Sequence, residues 1–110
     1  MQKSLKDYRD ECFDLYLKSL VEEKNLQLYA DYTDGRGSSV DYKADGFELR
    51  LINDAGLMAT ELSLPEKDDF VETEILAEEK TGKNARLSLE DQVKFIKEHW
   101  AEIPTLLKQL

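Results

Sequence analysis

Apolar side chains recur at helical spacing along the last quarter of the chain. From Ser88 onward the interval between them alternates between four and three residues, which places them on one side of a helix. Ser88 is a suitable N-cap, and Pro104 removes one backbone hydrogen bond. We therefore predict a helix over 88–110 with a bend or short break near Trp100. Its apolar side consists of Leu89, Val93, Ile96, Trp100, Ile103, Leu107 and Leu110.

A second amphipathic pattern occupies residues 5–24, with Ser4 as a suitable N-cap. Carboxylates line the opposite side, where a solvated helix surface is the ordinary outcome. Cys12 is the one cysteine, so it has no partner within the chain and is interpreted as a small buried apolar residue. The predicted buried side consists of Leu5, Tyr8, Cys12, Leu15, Tyr16 and Leu20.

Between the two helices the hydrophobic period changes to two, as in strands with one covered face. The pair Asp45-Gly46 is a strong hairpin signal, and glycine-containing turns separate the other strands. These patterns predict an antiparallel meander with both helices packed on one face and the other face open. The predicted strands cover residues 26–33, 40–43, 47–52 and 57–64.

Alternation also assigns side chains to the two faces of this sheet. In the first strand Leu26, Leu28, Ala30 and Tyr32 are predicted to point inward. The side chains predicted to share the open face are Tyr29, Asp31, Asp41, Lys43, Glu48, Arg50 and Glu61.

The segment Glu66–Glu79 fits two structures. Phe70, Val71, Ile75 and Leu76 could form the buried side of a helix, whereas alternation around Thr73 fits an edge strand guarded by charge. We slightly favour the strand. The fold class is therefore α+β: a single domain over 1–110, with a four- to five-stranded antiparallel β-meander flanked by an N-terminal and a C-terminal helix packed on one face.

The charge balance argues against some classes of binding partner and favours others. The chain has 110 residues, 15 Lys plus Arg and 24 Asp plus Glu, for a formal net charge of −9. A strongly negative surface argues against binding nucleic acid or an anionic membrane, and suits a basic partner. No stretch is long and apolar enough to span a membrane, and no secretory signal is visible, so a cytoplasmic location is the default expectation.

Residue types that carry chemistry are scarce. His99 is the one histidine, and with one cysteine the chain lacks a usual zinc or copper ligand set. No nucleophile elbow, phosphate-binding loop, dinucleotide fingerprint or calcium loop is present. We therefore expect no catalytic residues, no metal and no cofactor, and predict that the protein is not an enzyme.

The negative charge is unevenly distributed along the chain. Two segments, 31–48 and 66–79, account for all of the net charge because the remaining charges cancel. An acidic open sheet face could steer a basic protein and dock it around an exposed tyrosine. The same composition is also typical of acidic proteins that are merely soluble. The candidate partner-binding residues are Tyr29, Asp31, Asp41, Glu48, Asp68, Asp69, Glu72 and Glu74.

The C-terminal sequence Ser88-Leu-Glu-Asp-Gln-Val-Lys-Phe-Ile-Lys-Glu-His-Trp, followed by Ile103 and Leu106-Leu107, resembles the closing helix of small acidic immunity proteins from bacterial toxin–immunity pairs. Size, acidity and the helix–meander–helix order add to the likeness. The resemblance implies a cytoplasmic inhibitor that binds a cognate toxin domain, often a basic nuclease, and blocks its active site. These families share no binding motif, so no site residue is carried over.

Three functions are consistent with these patterns. The leading hypothesis is a non-enzymatic inhibitor, the immunity protein of a basic bacterial toxin. The alternative is a homodimeric structural or adaptor domain whose sheet faces or edges pair with each other, so the chain is a monomer or a homodimer. A third function, binding a small molecule between sheet and helices, needs convergent polar groups that the sequence does not reveal.

Overall fold

The computed structural model describes residues 3–65, 67, 69–84 and 86–110. The strands are β1 (Gln27–Thr33), β2 (Gly37–Lys43), β3 (Glu48–Asp54), β4 (Leu57–Ser63) and β5 (Val71–Glu72). The helices are α1 (Leu5–Cys12), α2 (Lys18–Glu23), α3 (Thr73–Thr81), α4 (Leu89–Glu98) and α5 (Ile103–Lys108). A π-helical segment, Phe13–Leu17, joins α1 to α2, and a 3-10 segment, Trp100–Glu102, precedes α5.

The strands form one antiparallel sheet in the order β1-β2-β3-β4-β5, so the predicted meander is confirmed. The Asp45-Gly46 turn closes the second hairpin, where the Ala44 N–H donates to the Phe47 carbonyl at 2.9 Å. Gly46 has a φ of 88°, a conformation that glycine adopts without steric cost. This turn sets the register between β2 and β3.

All the helices contribute to a core on one face of the sheet, which confirms the α+β class. Leu49 and Leu51 of β3 and Leu62 of β4 are fully buried there, and Thr60 lies beside them. The Thr60 N–H and hydroxyl both donate to the Gln92 side chain of α4, at 2.7 and 2.9 Å. The helical side of the core consists of Leu17, Leu20, Leu76, Val93, Ile96, Ile103, Leu106 and Leu107.

The N-terminal helix lies where it was predicted, with the Ser4 hydroxyl capping it by accepting from the Asp7 N–H. Its buried side was predicted partly wrongly. The wider π-helical turn adds a residue and shifts the helical phase of the residues after it. As a result Leu17 is fully buried, whereas Leu15 is 65% exposed and Tyr16 is 37% exposed. Tyr8, which precedes this turn, is 41% exposed because Arg9 takes the buried position and donates to Asp31.

The preference for a strand over Glu66–Glu79 holds only for the two residues of β5. From Thr73 onward the chain is helical, and Leu76 and Ala77 are buried against the core. The Thr73 hydroxyl also donates to the Thr60 carbonyl at 3.1 Å. A buried threonine pair at the start of α3 therefore fixes the turn from strand to helix.

The C-terminal helix has both predicted features, an N-cap at Ser88 and a break near Trp100. The Ser88 hydroxyl accepts from the Asp91 N–H, and the chain changes to a 3-10 turn at Trp100 before α5 begins. Trp100 packs edge-on against Phe47, with ring centroids 4.8 Å apart. None of the helices in the described part of the chain is long and apolar enough to cross a membrane.

Candidate protein-binding face of the sheet

The face of the sheet opposite the helices stays partly exposed and carries charge. In β3 this alternation is clear, because Leu49 and Leu51 are fully buried whereas Arg50 and Ile52 are half-buried. We call this side the open face. Its charged side chains come from four strands and comprise Asp41, Lys43, Glu48, Arg50, Glu61 and Glu72.

Arg50 holds the centre of the open face. Its Nε and one terminal nitrogen donate to both carboxylate oxygens of Asp41, at 2.7 and 3.0 Å, across the β2–β3 pair. Its other terminal nitrogen lies 3.6 Å from the Glu61 carboxylate on β4. The bidentate geometry makes Asp41 a well-neutralised group. Asp41 is also 95% buried, and so offers little charge to a partner.

Phe70 covers this cluster from outside. Its ring centroid lies 3.7 Å from the guanidinium carbon of Arg50, within cation–π distance. The connection between β4 and β5 therefore lays an apolar ring over the buried ion pair. Arg50 is stabilised at the same time by carboxylates in the sheet and by the ring above it.

Negative charge is in excess on the β4–β5 side of Arg50. Glu61 and Glu72 lie directly opposite each other in the antiparallel register, an arrangement of like charges that is unfavourable without a cation. Burial raises the pKa of the Glu61 carboxyl above its ordinary value; Arg50 opposes the rise and Glu72 adds to it. A cation from another molecule would relieve this repulsion.

The other end of the open face is organised around Tyr29. Its hydroxyl donates to the Glu48 carboxylate at 2.9 Å, and the Lys43 ammonium lies 5.2 Å from its ring centroid. Partial burial and the hydrogen bond to Glu48 raise the pKa of Tyr29, so the phenol stays protonated and keeps donating. The ring remains 41% exposed and is available as an anchor.

Asp31 was predicted on the open face, and this prediction is wrong. A β-bulge between Leu28 and Ala30 inserts one extra residue in β1, so that the alternation reverses after it. Asp31 then lies opposite Val40, on the helical side of the sheet. There its carboxylate accepts from Arg9 of α1 at 2.7 Å. For the same reason Ala30 and Tyr32 do not point inward as predicted.

The remaining predicted residues are spread over the chain. Glu72 is on the open face, whereas Glu74 lies in the first turn of α3, 3.5 Å from the Gln92 amide nitrogen. The Asp69 N–H donates to the Ser63 hydroxyl at 3.3 Å, in the connection that carries Phe70. Asp68 lies outside the described residues. The structure therefore brings Tyr29, Asp41, Glu48 and Glu72 together on one face.

Two features of this face were missed from the sequence. Counting outward from the Asp45-Gly46 turn pairs Asp41 with Arg50, so the neutralisation of Asp41 could have been found. Phe70 had no such signal, because it precedes β5 and no strand register relates it to Arg50. Among residues 3–65, 67, 69–84 and 86–110, no group of three or more His, Cys, Asp or Glu side chains could hold a metal ion.

Comparison of the chain with protein-family models, with curated proteins and with solved structures finds no match. The function of the molecule must therefore be inferred from its own surfaces and charges.

Proposed function

We propose that the protein is a non-enzymatic inhibitor that binds a basic partner, acting in the bacterial cytoplasm as the immunity protein of a toxin. The observation that carries the proposal is the open face of the sheet. It displays four carboxylates and two cations, and one cation, Arg50, is already paired with Asp41. The face is thus negative, partly exposed and held in a fixed geometry by strands.

The groups available to a partner are those that the sheet leaves incompletely paired. Glu61 and Glu72 face each other, and Glu48 accepts a hydrogen bond from the uncharged Tyr29 hydroxyl. An arginine or lysine from the partner could lie between Glu61 and Glu72, where it would relieve a repulsion that exists in the free protein. Tyr29 would supply aromatic contact area at low entropic cost.

A basic toxin domain fits this surface because its substrate-binding cleft is itself positive when the substrate is a nucleic acid. The acidic strands would occupy that cleft and exclude the substrate. Long-range attraction would speed association, and salt would slow it. Inhibition by occlusion requires no chemistry from the inhibitor.

The test uses the product of the neighbouring upstream gene as the probe. The two purified proteins are mixed at low salt, and complex formation is followed by calorimetry together with the toxin's activity. We expect a complex of equal stoichiometry, loss of toxin activity, and an association rate that falls steeply as salt is raised. No complex at low salt, or a complex that leaves the toxin active, would overturn the proposal.

A further inference from the structure

The two edges of the sheet differ in length. β1 has seven residues, six of them exposed, and within the described part of the chain no strand pairs with its outer side. β5, at the other edge, has two residues and turns at once into α3. A long unpaired edge is a template for another strand, and proteins usually shorten or guard such edges.

The backbone of β1 offers hydrogen-bonding groups to this edge. The Asp34 N–H donates to the Gly37 carbonyl at 2.9 Å, so these residues form a hydrogen-bonded pair at the hairpin end. Because bonded and non-bonded pairs alternate in an antiparallel ladder, Tyr32 bonds to β2 whereas Thr33 and Asp31 direct their N–H and C=O groups outward. The free edge therefore has regular donors and acceptors beyond the bulge.

The side chains of β1 are suited to contact between proteins. Leu28 is 55% exposed on the helical side of the sheet, and Tyr32 is 62% exposed on the open face. Asp31 is the one carboxylate in the strand, and Arg9 neutralises it at 2.7 Å. The other carboxylate near this edge, Asp34, follows β1 and accepts from the Arg36 and Gly37 N–H groups at 2.8 and 2.9 Å. On a chain with a net charge of −9, this edge therefore carries little of the negative charge that would keep two copies apart.

We infer that β1 pairs antiparallel with β1 of a second copy of this chain, joining two sheets across a twofold axis. An antiparallel strand edge is self-complementary under such an axis, because each N–H meets a carbonyl of its counterpart. Assembly closes at two copies, since β5 is too short to continue the sheet. A single strand edge buries less area than a standard interface, so we expect a weak dimer.

This dimer leaves both open faces free, so it is compatible with partner binding but does not depend on it. The two associations respond oppositely to salt. Two copies of charge −9 repel each other at long range, so salt should strengthen the dimer. Binding of a basic partner should weaken with salt. Failure of one proposal can therefore be distinguished from failure of the other.

The experiment is sedimentation equilibrium of the full chain from low to high micromolar concentration, at low and moderate salt. Tyr32→Lys places a charge at the centre of the pairing edge, and Leu57→Lys is the matched control. Leu57 is 77% exposed at the start of β4, and its replacement changes the net charge equally. We expect Tyr32→Lys to raise the dimer dissociation constant at least about tenfold and Leu57→Lys to leave it unchanged.

Thr33→Pro is the second variant, and circular dichroism checks that each variant is folded. Proline there removes an N–H that points away from β2, so the backbone ladder inside the sheet is kept while the outer edge loses a donor. It also removes the Thr33 hydroxyl, which lies 2.7 Å from that of Ser38, so Thr33→Val, which keeps the N–H, is its matched control. Dimers that are lost in both edge variants and kept in the controls support the inference. A wild-type chain that stays monomeric throughout, or a dimer unaffected by both edge variants or weakened by salt, would overturn it.

Discussion

The two faces of the same sheet use their residues differently. On the helical face, Leu49 and Leu51 of β3 are fully buried beneath the helices, and the buried polar groups beside them are hydrogen-bonded. On the open face, the intervening Arg50 and Ile52 are half-buried, and charge is paired only in part. Alternate residues of one strand thus belong either to the hydrophobic core or to the partly exposed, charged face. Substitutions on the helical face and at the buried Arg50–Asp41 pair should change stability, and those of exposed side chains on the open face should mainly change binding.

Each face also has an arginine bound to carboxylates. Arg9 is 98% buried on the helical side and joins α1 to the sheet by donating to Asp31 and to the Ser39 carbonyl. Arg50 is bound within the sheet itself and shares its charge between Asp41 and Glu61. The first arginine connects two layers. The second sets how much negative charge the open face retains.

The two faces should differ most in the free energy of unfolding that is lost when one β3 side chain is shortened to alanine. Leu51→Ala removes a fully buried side chain and should lower the free energy of unfolding by about 2–5 kcal/mol. Ile52→Ala, one residue along on the open face, should cost about 1 kcal/mol or less because that side chain is only half-buried and loses less buried apolar area. Urea denaturation of both variants measures the two costs, and equal losses would contradict the assignment of the faces.

A smaller effect is expected from the ion pair at the centre of the open face. Arg50→Met leaves the carboxylate of Asp41 buried without its cation and should cost about 2 kcal/mol of unfolding free energy. Adding Asp41→Asn removes the unpaired charge and should recover part of that loss. A double-mutant cycle by chemical denaturation checks this. Strictly additive costs would show that the two side chains do not act as a pair.

The smallest effect concerns the pH dependence of Glu61. Burial holds the pKa of Glu61 above its unfolded value, so its contribution to stability is fully present below the unfolded pKa and is lost as pH rises through the folded pKa. Glu61→Gln should therefore gain stability relative to the wild type as pH is raised from about 4, near the unfolded pKa of a glutamate, towards neutrality, by no more than about 1 kcal/mol. Denaturation across that range measures the difference. A difference independent of pH would contradict the raised pKa.

Much of the fold could be predicted from local signals. Ser4 and Ser88 cap their helices as predicted, and Asp45-Gly46 forms the predicted hairpin turn. The break around Trp100 follows from Pro104, whose ring cannot continue a helix without loss of a hydrogen bond. In each case one or two residues of distinct chemistry determine the backbone beside them.

Two of the errors in the prediction arise where one extra residue enters a regular element. The π-helical segment shifts the buried side from Leu15 and Tyr16 to Leu17, and the β-bulge moves Asp31 to the other face. Neither irregularity needs a glycine or proline, so no residue type marks it in the sequence. Periodicity is counted from the last known position, so in a strand a single insertion reverses the face of every later residue. In the helix it displaces only the nearby positions, since Leu20 is buried as predicted.

The candidate site was predictable only in outline. Strand alternation placed Tyr29, Asp41 and Glu48 on one face. Charge segregation along the chain did not locate this face, because Asp31 lies on the helical side, Glu74 lies in α3, and Glu61 belongs to neither acidic segment. Alternation alone does not show how far each carboxylate is neutralised by a cation, because that depends on which side chains are in contact across the strands. Arg50 pairs with Asp41 more closely than with Glu61, and this decides which carboxylates remain for a partner.

The central claim is that the open face is the surface that meets a basic partner, and charge reversal at matched positions tests it most directly. Glu72→Lys changes the open face, and Glu90→Lys makes the same change on α4, where the carboxylate is 62% exposed. Association of each variant with the upstream gene product is measured by calorimetry at low salt. We expect Glu72→Lys to weaken binding by about tenfold or more and Glu90→Lys to change it by less than about twofold. Equal weakening by the two variants would contradict the claim, because binding would then depend on net charge and not on this face.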